Sequence, residues 1–250
     1  MLKIGDFVTR KKYGNDIVFK IVKIEKEKVI LRGIDIRLYA DANINDLVLS
    51  SIRKEEDNYD EIRIDKKKEN EYFYIPGTIL HIDADKDYLK KCEKYYKKQK
   101  VIYYGYVFNE NEFNLKIEEL IKKHNPDIVV LTGHDAYYKN KSYKNSNYFI
   151  KTVKEIRNKF DKGIIIISGA CQSDYYNLMR SGATYASSPS HINIHALDPA
   201  IIASHIALSS NNKLIDVKKI LEKTKYGSDG IGGIETKGKM KIGYPKIKIE

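Results

Sequence analysis

Four short apolar runs constrain this chain most: Thr78-Ile79-Leu80-His81-Ile82-Asp83, residues 101–108, Asp127-Ile128-Val129-Val130-Leu131-Thr132 and Gly163-Ile164-Ile165-Ile166-Ile167-Ser168. Each is too short for a buried helix and reads as a strand covered on both faces. Between and after them the spacing of apolar residues predicts helices over 85–99, 112–124, 148–160, 174–180 and 199–209, with a further strand over 183–186. Strands alternating with helices give an α/β fold, a doubly wound and mostly parallel sheet, over residues 73–250.

The first fifty residues have another rhythm. Short alternating runs over 5–10, 17–24, 29–33 and 36–40 are separated by Gly, Asn and Asp, and 43–47 is placed to close them. This spacing predicts a small SH3-like β-barrel over 1–50, a kind that binds a peptide or docks on its neighbour. Residues 51–72 are dense in both charges and poor in apolar anchors, so they read as a solvated linker. A Gly-rich stretch, 230–244, reads as a loop followed by a strand or hairpin.

Lys and Arg number 45 against 34 Asp and Glu, a formal net charge of +11. The excess is spread along the chain with no Arg-rich helix or aromatic RNA-binding pattern, so it reads as a solvated basic surface rather than a nucleic-acid site. No apolar stretch approaches the roughly 18 residues of a membrane span. The first residues lack the pattern of a secretory signal, so an intracellular, soluble protein is expected. Two cysteines, Cys92 and Cys171, make neither a disulfide framework nor a four-cysteine zinc site.

In an open parallel sheet, ligands bind outside the carboxyl ends of the strands. His134 follows one apolar run there, and Cys171 follows the next. Sequential strands are usually neighbours, which brings imidazole and thiol to one rim. A thiolate beside a histidine can attack an acyl carbon while the histidine protonates the leaving amine. Backbone N–H groups of Cys171 and Asp135 are the candidate oxyanion donors. Asp83 and Asp85, at the end of the first run, and Glu235 are candidate carboxylates for a guanidinium-bearing substrate. Ser187, with Ser188 and Asn193, lies in a segment expected to line the cleft. His191 and His195 are four apart, but no His-Glu-x-x-His pattern surrounds them, so no metal is expected. Cys92 reads as structural.

Longer stretches carry a resemblance. Thr132-Gly133-His134-Asp135-Ala136, Ser168-Gly169-Ala170-Cys171-Gln172-Ser173, residues 186–199, residues 232–238 and the opening Gly5-Asp6-Phe7-Val8-Thr9-Arg10-Lys11 look like the sporulation-specific YabG protease family. The resemblance runs from end to end. It implies a cofactor-free endopeptidase, in the mother cell of a spore-forming bacterium, that processes spore coat and cortex proteins and cuts after basic residues. It places the cysteine and histidine of that family on Cys171 and His134. A wider similarity is to caspase-like peptidases, which also set a histidine after one strand and an Ala-Cys pair after the next. There the histidine is usually followed by glycine, whereas Asp135 follows His134, either as an oxyanion donor or as an orienting carboxylate.

A rival reading comes from Leu80-His81-Ile82-Asp83-Ala84-Asp85 and residues 126–131, which resemble a receiver domain of signalling proteins. Thr132 stands where such a domain has its phosphoacceptor aspartate, and Ser188 where it has its lysine. What survives of that reading is a degenerate signalling or protein-interaction module without catalysis.

Overall fold

The computed structural model describes residues 2–51, 59–64, 71–160 and 163–246. The chain divides into two compact units, Met1–Asp60 and Glu61–Glu250. Most of the expected 51–72 linker lies outside the described residues.

The first unit is a five-stranded antiparallel sheet in the order β4-β3-β2-β1-β5. Its strands are β1 (Phe7–Arg10), β2 (Phe19–Glu25), β3 (Lys28–Gly33), β4 (Tyr39–Asn43) and β5 (Leu47–Leu49). The last strand returns beside the first, with Val8 opposite Leu49. Alternation along β1, β2 and β3 turns Val8, Phe19, Ile21, Val29 and Leu31 into one small core with Leu47. The fourth strand starts later than 36–40 suggests. Residues 33–38 form a turn instead, in which Gly33 N donates to Leu38 O and Leu38 N to Ile36 O.

The second unit carries a six-stranded sheet in the order β12-β11-β10-β9-β7-β8. Its members are β7 (Thr78–Asp83), β8 (Ile102–Val107), β9 (Ile128–Thr132), β10 (Ile165–Ser168), β11 (Tyr185–Ser187) and β12 (Ile231–Gly233). The first five pair in parallel. Only β12 is antiparallel, against β11. The 230–244 stretch is therefore no hairpin: its first strand extends this sheet. Its second, β13 (Lys241–Gly243), pairs with β6 (Phe73–Ile75) in a separate two-stranded sheet.

Helices cover both faces. α2 (Phe113–His124), α3 (Ser146–Lys159) and α4 (Tyr175–Arg180) bury Phe113, Ile117, Phe149, Val153 and Leu178 against Leu80, Leu131 and Ile166. α1 (Lys86–Lys98) and α5 (Asp198–Ala207) pack on the other face. On α1, the buried Tyr88, Leu89, Cys92, Tyr95 and Tyr96 fall at helical spacing on one side, and Asp85 caps its first turn. α5 is apolar nearly all round and nearly all buried. Two short helices, α6 (Val217–Leu221) and α7 (Gly227–Gly230), lead into β12. Helix ends shift from the sequence reading by one or two residues because capping groups, not the apolar pattern, set them: Asp85 and Asp174 stand outside α1 and α4 as their N-caps.

Candidate active site

Strands β9 and β10 are neighbours, with Leu131 opposite Ser168. Their carboxyl ends leave the sheet side by side, and Gly169 N still donates to Leu131 O at 3.0 Å. Gly169 has φ +116°, and a Cβ there would press on Leu178 and Ser187. A Cβ on Gly133 would come within 2.7 Å of Glu110 Oε1. Glycine at both exits lets each loop leave its strand against close neighbours, Glu110 beside one and Leu178 and Ser187 beside the other. His134 stands two residues beyond β9, and Cys171 three beyond β10.

The two loops are tied together by the Asp135 carboxylate, which is 8% exposed. Its Oδ1 accepts from the backbone N–H groups of Ala136 (2.9 Å) and Asn145 (2.8 Å). Its Oδ2 accepts from the hydroxyls of Ser146 and Ser173, the latter at 2.9 Å. Ser173 Oγ in turn accepts from Ala170 N, and Ser146 Oγ from Asp174 N. One buried carboxylate thus holds the His134 loop, the start of α3 and the Cys171 loop in a single network. The Asp135 side chain therefore serves this joint and does not reach back to orient His134.

The Cys171 sulfur is buried. Ile194 N donates to it at 3.3 Å, and Ile194 O lies 4.0 Å away. An amide aimed at sulfur is a donor to its anionic form. Gln172 joins three loops. Its N–H lies near Ile192 O and Ser188 Oγ, and its side-chain oxygen accepts from Tyr137 N. At the rim, the rings of Tyr137 and Tyr143 gather with His191, which stacks on Tyr137 at 5.0 Å. Burial, followed by the Asp174 carboxylate, Tyr137 and Asp135, pushes the Tyr143 phenol above its ordinary value.

The backbone of His134 is pinned on both sides. Its N–H donates to Glu110 Oε1 at 2.7 Å, and its carbonyl accepts from Asn145 Nδ2 at 2.7 Å. The imidazole leans on the Tyr88 ring and sets Nε2 3.6 Å from Asp85 Oδ2. Asp85 uses its other oxygen to accept from Asp87 N and Tyr88 N. Asp83 is fully buried: Oδ1 accepts from Asp85 N and Oδ2 from the Thr132 hydroxyl. Thr132 also meets His81 Nε2, whose Nδ1 meets the Tyr96 hydroxyl.

These contacts redistribute the expected site residues. Asp83 and Asp85 are turned inward onto protein partners rather than outward as receptors for a guanidinium. Ser187 lies buried at the end of β11, beside Gly169. Glu235 does not join the site. Because β12 runs antiparallel, Gly233 pairs with Tyr185 at the start of β11, so Glu235 leaves at the opposite rim and is exposed. His195 donates through its N–H to Asp198 Oδ2, and its Nδ1 accepts from Leu197 N. Among the described residues no group of three or more His, Cys, Asp or Glu is placed to hold a metal ion. Sequence reasoning missed Glu110, Asn145 and Ser146, which no motif marks; only their fold neighbours reveal them.

The family model described as YabG peptidase U57 matches residues 3–69 and 49–245. The chain belongs to the YabG peptidase family. The Sporulation-specific protease YabG of Bacillus subtilis (strain 168) is similar to it, 38% identical over 285 residues, which cover 97% of this chain and 98% of that protein. No solved structure matches. In this YabG family member, no helix among the described residues is long and apolar enough to cross a membrane. Membership makes the chain a peptidase, so its substrates are proteins.

Proposed function

We propose that the chain is a cysteine endopeptidase of sporulating cells, with Cys171 as nucleophile and His134 as general acid and base. It works on spore coat and cortex proteins in the mother cell and cuts after basic residues. The observation that carries this reading is the joint at Asp135, which fastens the loops after two adjacent parallel strands into one rim. The order of the large sheet, with its last strand reversed, suits a caspase-like arrangement, and the order of the first unit suits an SH3-like module.

In the proposed cycle the Cys171 thiolate adds to the scissile carbonyl carbon. Backbone N–H groups of Cys171 and Asp135 receive the oxyanion. Protonated His134 gives its proton to the leaving amine as the C–N bond breaks, leaving a thioester. His134 then takes a proton from water, whose oxygen adds to the thioester. The C–S bond breaks, the acid product departs, and the thiolate–imidazolium pair returns. The test is cleavage of a peptide set with Arg, Lys or neutral residues at the scissile position. Cys171→Ala and His134→Ala are expected to lose cleavage while the circular dichroism spectrum stays native. Full activity in either variant would sink the reading.

A further inference from the structure

We infer that Asp85 is the positioning residue for His134, the carboxylate that fixes the ring's orientation and tautomer for proton exchange with Cys171. The inference rests on the Cys171–His134 reading.

Three observations converge on it. Asp85 Oδ2 stands 3.6 Å from His134 Nε2, and the Asp85 side chain is 7% exposed. The carboxylate is held from behind: Oδ1 accepts from Asp87 N (2.8 Å) and Tyr88 N (3.2 Å), and Asp85 N donates to Asp83 Oδ1 (2.9 Å). Asp83 is in turn fastened to Thr132, the last residue of the strand that delivers His134. The ring also leans on Tyr88, itself buried in the first turn of α1. Ring and carboxylate are therefore set by the same rigid elements. The two oxygens divide the labour, one capping the helix and the other facing the imidazole.

The chemistry follows from which nitrogen is engaged. A carboxylate at Nε2 keeps a proton there, which makes Nδ1 the nitrogen that exchanges a proton with the sulfur. The carboxylate's negative charge also complements the ion pair that the proposed cycle needs between ring and sulfur. Asp85 takes no proton itself and touches no substrate.

Helix capping offers a clean separation. Asn and Ser cap as well as Asp, so Asp85→Asn and Asp85→Ser keep the cap and remove the charge. In Asp85→Asn the new amide N–H₂ faces Nε2 and forces the opposite tautomer. The measurements, on the full chain, are kcat and KM for an arginine peptide, the pH profile of Cys171 alkylation by iodoacetamide read by mass spectrometry, and the melting temperature. Expected are a kcat about 100-fold lower, the low end of what a positioned general acid–base group supplies, and a KM within about twofold. The alkylation profile moves to higher pH, and melting stays within about 2 °C. Native kcat with a native alkylation profile overturns the inference. So does a loss of kcat with an unmoved profile, which would mean a merely structural role. Both results leave the nucleophile assignment standing, because that one falls only if Cys171→Ala or His134→Ala stays active.

Discussion

Removing the Asp135 carboxylate separates the loops that carry His134 and Cys171 without touching either of those side chains. In Asp135→Ala, four donors lose their acceptor: Ala136 N, Asn145 N and the hydroxyls of Ser146 and Ser173. The two amides are partly buried and can turn to water. The two serines are 1% and 0% exposed, and an orphaned buried donor costs about 1–3 kcal/mol. Two of them make about 4 kcal/mol. For a domain of this size each kcal/mol moves melting by about 2–4 °C, so a fall of about 8–16 °C is expected. Asp135→Asn retains the acceptor for the two amides but loses the one for both hydroxyls, which carry the whole of this cost, so it is expected to fall about as far. The assay is thermal unfolding by circular dichroism, with peptidase activity measured well below the transition. Activity is expected to fall in both variants at temperatures where they are folded, because the joint sets the distance between the loops. A melting temperature within about 2 °C of the native value in Asp135→Ala would refute the reasoning.

The remaining expectations are simpler. Burial, and behind it the Lys223 charge, lowers the His205 pKa from 6.5 to about 4. The unfolded chain therefore binds the proton more readily, so the stability tied to neutral His205 is complete above about pH 6.5 and is lost as pH falls through about 4. At about 1.4 kcal/mol per pH unit this amounts to roughly 3 kcal/mol, and His205→Leu is expected to flatten that part of a urea-unfolding profile; an unchanged slope would count against it. Glu235 stands at the far rim, so Glu235→Gln is expected to leave the ratio of cleavage of arginine to neutral peptides as it is. A selective loss on arginine peptides would contradict that placement.

The sheet was legible because β9 and β10 are apolar on both faces, as a covered parallel sheet requires. The same pattern put His134 and Cys171 past adjacent strand ends. Side-chain direction was not legible. Asp83 and Asp85 read as rim carboxylates and Asp135 as an oxyanion donor or orienting carboxylate, yet the first is sealed in a network with Thr132, the second divides itself between a helix cap and an imidazole, and the third joins loops. Those assignments depend on residues tens of positions away, such as Ser146 and Ser173, whose hydroxyls carry no periodic signal. The reversal at β12 was hidden for a related reason. A Gly-rich stretch announces a turn, but only the open edge of β11 decides that it should lie beside that strand.

The joint at Asp135 also bears on how such a site can change over generations. A lone serine at 146 or 173 has little reason to persist once its shared acceptor is gone, and the acceptor is a liability without them. The three positions are therefore expected to be inherited as a set, kept together or replaced together, while the exposed tyrosines beside them drift.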